Sequence, residues 1–226
     1  MESIDLASTT TRDLNARLQS EADGSNAAFE VLHPGGRHAL ACGLTAPIAV
    51  TLRGHVGYYC AGMNQNATVT VHGNAGVGVA ENMMSGLVRV MGDASQSAGA
   101  SGHGGLLVIE GSASARCGIS MKGIDIVVKG SVGHNSAFMA QAGHLVICGD
   151  AEDGLGDSIY EAVIYVSGET GKLGADCEEQ PMTADDRQTL TELLARSGIE
   201  ADPATFRRYG SARSLYNFKI DNLGSY

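Results

Sequence analysis

Residues 69–111 read VTVHGNAGVGVAENMMSGLVRVMGDASQSAGASGHGGLLVIEG. One short phrase occurs in them three times: Val69-Thr70-Val71-His72-Gly73, Val88-Arg89-Val90-Met91-Gly92 and Leu107-Val108-Ile109-Glu110-Gly111. The interval is constant, from Gly73 to Gly92 to Gly111. The glycine column continues outward without insertion, to Gly54 on one side and to Gly130, Gly149 and Gly168 on the other. Gly35 falls one interval upstream and reads as an incomplete first coil. Such strict periodicity is the signature of a repeat architecture.

Two apolar columns accompany the glycine. Four positions before it stand Val50, Val69, Val88, Leu107, Ile126, Leu145 and Ile164; two before it stand Leu52, Val71, Val90, Ile109, Val128, Ile147 and Val166. Period-two alternation puts both columns on one side of an extended segment. The column between them, from Thr51 to Tyr165, reads as the outward face. A polar residue usually follows the glycine (His55, Asn74, Asp93, Ser112, Ser131, Asp150, Glu169), which is turn chemistry. The glycine is expected to supply a backbone conformation that a β-carbon disfavours. Hairpins would reverse direction at each turn and lose the common phase. The expectation is therefore an all-β chain, a right-handed parallel β-helix with a single-stranded solenoid of about seven to eight 19-residue coils, on the order of 35 Å long.

Open solenoid ends need covers. Thr9–Glu21 reads as a short helix with Leu14 and Leu18 on one face; Thr183–Ser197 reads as a second, with a Leu190, Leu193, Leu194 stripe and Gly198 as its stop. The predicted organisation is an N-terminal extension over 1–28, the β-helix over 29–178, and a C-terminal helix with a docking tail over 179–226. Of the 7 tyrosines and 4 phenylalanines, Phe206, Tyr209, Tyr216, Phe218 and Tyr226 crowd into the final stretch. This tail is too aromatic to be solvated. With Arg207, Arg208 and Arg213 it forms a candidate interface, against its own solenoid or another subunit.

The composition agrees. The 226 residues include 31 glycines, no tryptophan and 5% aromatics, so the core must be built from small and β-branched side chains. No run reaches the roughly 18 apolar residues of a membrane span, and the N-terminus does not read as a signal peptide. Five cysteines without a CxxC pair (Cys42, Cys60, Cys117, Cys148, Cys177) suit a reducing cytoplasm. A net charge of −10 argues against nucleic acid. Between Asp150 and Arg187, eleven acidic residues face only Lys172 and Arg187, which reads either as a solvated face or as a docking surface for a basic partner.

The sequence clusters few residues that could carry chemistry. No two histidines within the repeat share a column, so the coils assemble no ligand cluster. Cys60 and Cys117 share a column but stand three coils apart, on the order of 14 Å. Glu110 and Lys129 are one coil apart and read as a ladder ion pair. No catalytic, cofactor-binding or metal-binding residue is expected in this chain.

The apolar–x–apolar–x–Gly units with Gly-x-x-Gly turns, over about 29–174, resemble the GXGXG β-helix domain at the C-terminal end of the glutamate synthase large subunit. The stand-alone length and the ending RRYGSARSLYNFKIDNLGSY are most similar to the small GXGXG, or GlxC-type, subunit of N-methylglutamate synthase. The resemblance implies a non-catalytic scaffold that bridges a class II amidotransferase-like subunit and an FMN-binding, glutamate-synthase-like subunit. FMN and iron–sulfur clusters then belong to those partners, in a hetero-oligomer that makes N-methylglutamate from glutamate and methylamine. A formylmethanofuran-dehydrogenase-type subunit, a detached glutamate synthase domain and an autonomous ligand-binding solenoid are the alternatives.

Overall fold

The computed structural model describes residues 1–213. The chain runs through β1 (Glu2–Asp5), α1 (Thr11–Gln19), β2 (Ala28–Leu32), β3 (Ala49–Arg53), β4 (Thr68–Val71), β5 (Leu87–Val90), β6 (Leu106–Ile109), β7 (Lys122–Val128), β8 (Ala142–Ile147) and β9 (Val163–Val166). There follow β10 (Cys177–Gln180), α2 (Ala184–Ser197) and β11 (Arg207–Ser211). All the strands form one 11-stranded sheet, parallel from β1 to β9. From β3 onward the register keeps the interval of the glycine column, as in Val50↔Val69↔Val88↔Leu107. The expected parallel β-helix is present.

Both predicted inward columns are buried along their whole length. A second ladder runs opposite the sheet, where isolated parallel bridges join Val56, Ala75, Ala94, Ala113, Val132, Ala151 and Thr170. The small side chains of this ladder keep the interior narrow. Beyond it the backbone turns left-handed in columns, with Ala61, Ala80 and Ala137 at φ of 55° to 57°. Alternate N–H groups there point along the rod in opposite directions: Ala61 donates to Leu40 in the coil before, and Met63 to Glu81 in the coil after. Each coil thus satisfies much of its backbone through its neighbours.

Two expectations about the repeat itself change. Phe29 pairs Val50 and Val31 pairs Leu52, so the first coil is longer than those that follow and Gly35 is not a member of the glycine column. The repeat glycines from Gly73 onward also have no left-handed backbone. A β-carbon on Gly73 would come within 2.8 Å of the Gly54 carbonyl oxygen. Glycine is required there by the close approach of stacked coils, not by φ.

The ends are covered differently. α1 buries Leu14 and Leu18, while Asn15 and Gln19 donate to the carbonyls of Ala39 and Cys42 in the first coil. α2 does not sit on the open end. It lies along the outer face of the sheet, where Leu190, Leu193 and Leu194 pack on Leu106, Val108, Val127, Val146 and Tyr165. The outward column is apolar at that end because it is the floor of a second core. The other end is continued by β11, antiparallel to β9, and then by β10.

Candidate functional site

The polar column after the repeat glycine is a continuous ladder between coils. His55 Nδ1 accepts the Asn74 N–H, and Asn74 Oδ1 accepts that of Asp93. Asp93, Ser112, Ser131 and Asp150 accept in turn from Ser112, Ser131, Asp150 and Glu169. Every link joins a residue to its counterpart one coil away, so these side chains stitch coils together rather than close local turns. Gly54, Gly73, Gly92, Gly111, Gly130, Gly149 and Gly168 stand immediately before this ladder and leave room for it. The acidic block is partly spent in the same way, with Asp153 accepting from the Lys172 N–H and Glu152 from that of His134.

Glu110 lies 3.8 Å from Lys129, as its column implied, and is also held by Arg89. Arg89 extends further, to the Ser197 carbonyl at 2.5 Å, and so caps the end of α2. Arg196 and His144 converge on Asp125 at 3.1 and 2.8 Å. At the start of α2, Asp186 accepts from both the hydroxyl and the N–H of Thr183, closing a capping box. The same carboxylate receives Arg208 Nε at 2.9 Å. The contacts of Arg89 with Ser197, Arg196 with Asp125 and Arg208 with Asp186 leave no mark in the repeat, because each involves a segment outside its period.

Of the tail residues singled out as a candidate interface, Phe206 and Tyr209 are buried against the chain's own solenoid. Arg207 donates to the Gly168 carbonyl and Arg208 to Asp186. Arg213 pairs with Asp176 at 2.5 Å. This part of the tail therefore docks in cis. Tyr216 and Phe218 lie outside the described residues.

Burial pushes the Cys117 thiol up to about 12 and those of Cys42, Cys148 and Cys177 to about 11. Such thiols are poor nucleophiles and poor ligands at neutral pH. Among the described residues no three His, Cys, Asp or Glu side chains are grouped to hold a metal ion, and no helix is long and apolar enough to cross a membrane.

The chain is 58% identical to Protein GlxC of Rhizobium meliloti (strain 1021), over 228 aligned positions that cover all of both chains. The chain belongs to the GlxC family. No protein-family model matches it, and no solved structure does. For a GlxC-family chain the geometry offers stacked ladders, a cis-docked clasp and buried thiols, an arrangement suited to presenting a rigid surface.

Proposed function

We propose that this chain is the non-catalytic β-helix subunit of a glutamate-synthase-like complex, N-methylglutamate synthase. In this reading it bridges a class II amidotransferase-like subunit and an FMN-binding synthase-like subunit, in the cytoplasm. FMN and the iron–sulfur clusters reside in those partners, and the complex exchanges the amine of glutamate for methylamine.

The observation that carries the reading is the full-length identity to Protein GlxC, taken with the apolar–x–apolar–x–Gly phrase repeated through a solenoid whose interior is filled by its own side chains. A packed rod of mutually dependent coils holds a fixed spacing between whatever binds along it. The test is purification from the source under native conditions, followed by native mass spectrometry and flavin absorbance. Two larger chains should accompany this one, with flavin in a partner. A lone chain with stoichiometric FMN, or with turnover of its own, overturns the proposal.

A further inference from the structure

Of the exposed large apolar side chains, Met1, Tyr58 and Met91 stand at other phases of the coil, and the remaining four share one corner. Met63, Met84, Met139 and Tyr160 are each more than two-fifths exposed. Met63 and Met139 lie nine residues past their repeat glycines, and Met84 and Tyr160 eleven past. The column between them points inward and holds the buried Met83, Met121 and Ile159. All four therefore face solvent along one corner of the rod. They form two apolar spots, one at Met63 and Met84 and one at Met139 and Tyr160, about four coils or ~19 Å apart at the usual strand spacing. Between the spots stands Lys122, exposed and without an ion pair among the described residues.

The backbone of this corner is already used. Met63, Met84, Met139 and Tyr160 donate their N–H groups to Glu81, Asn64, Asp157 and Ala140 in adjacent coils. A partner strand would find these donors already taken and would bury its own carbonyls unpaired against them. A helix brings its backbone satisfied and needs only side-chain contacts. A second copy of this chain is a poor occupant. Two spots of this size fall well short of the ~800 Å² per partner of a stable interface, and chains of net charge −10 repel one another.

We propose that this corner receives one amphipathic helix of a partner subunit, with apolar anchors about 13 residues apart and a carboxylate between them for Lys122. The proposal rests on the assembly reading above and deepens it by naming the surface and the form of its occupant.

The test uses the assembled complex. A photo-crosslinking amino acid is placed at position 63 or 139, four coils apart in one column, and the adducts are mapped. Crosslinks from the two positions are expected in one partner chain, about 13 residues apart in sequence; an extended segment would place them about 6 apart. The double variant Met84→Glu, Met139→Glu should bind its partners at least ~10-fold more weakly with an unchanged melting temperature, while Gln96→Glu on another face binds as wild type. Crosslinks about 6 residues apart, crosslinks to a second copy, or wild-type binding by the double variant each overturn the proposal. If no larger chain accompanies the wild-type protein, the assembly reading itself falls and this occupant falls with it.

Discussion

The hydroxyl of Tyr165, the last residue of the outward column, donates to Asp186 Oδ1 at 3.0 Å. Through that bond the solenoid is tied to the first turn of α2, and Arg208 ties β11 to the same oxygen. Three segments outside one another's period are thereby fixed at one carboxylate.

Asp186 controls how α2 sits. Burial pushes its carboxyl up, but the bonds from Thr183, Arg208 and Tyr165 outweigh burial and hold it at about 2, below the ordinary 3.8. The carboxylate's stabilisation is therefore complete above pH ~4 and is lost as the pH falls toward 2, a contribution of about 2 kcal/mol. Asp186→Ala should lose about 2–3 kcal/mol at pH 7, because Arg208 and Tyr165 are left unpaired. Hydrogen exchange in α2 checks this; unchanged protection would contradict it.

The side-chain ladder makes each coil depend on the one before. Asn74→Ala removes the acceptor for the Asp93 N–H and should cost about 1 kcal/mol in denaturant unfolding. The double variant with Ser112→Ala, a rung two coils away, should cost close to the sum of the two singles, since the sites share no bond. Strong coupling would mean that the ladder acts as a single unit.

Two glycines separate close approach from backbone conformation. On Gly92 a β-carbon would strike Asn74 Oδ1 and come within 2.9 Å of the Gly73 carbonyl oxygen. Gly92→Ala should cost more than about 3 kcal/mol. Gly118, at φ +70°, shares a column with Ala61, Ala80 and Ala137, and its β-carbon would meet Met121 Sδ at 3.1 Å. Gly118→Ala should cost only about 1 kcal/mol. Equal melting temperatures for the two variants would refute the distinction.

The thiols should be quiet in the native state. With Cys148 and Cys177 pushed up to about 11, the thiolate fraction at pH 8 is on the order of one in a thousand. Labelling by a disulfide reagent should be slow at pH 8, quicken as the pH rises, and reach all five thiols only in guanidinium. Rapid native labelling at pH 8 would be the contrary result.

The coils are legible in the order of residues alone. Val50, Val69 and Val88 share one environment because each touches its counterparts one coil away, so the fold writes its period into the chain. The helices are legible for a similar reason, since Thr183, Leu190 and Gly198 mark a local structure by local chemistry. Where the non-periodic pieces land is settled only by packing in three dimensions. Nothing local tells Val127 or Val146 that α2 will cover them, and Arg89 meets Ser197 across 108 positions of sequence. The reason for the repeat glycines is hidden in the same way, since spacing alone cannot distinguish a left-handed turn from a carbonyl stacked one coil away. Periodicity reports the contacts that recur; a docking that happens once leaves no period to read.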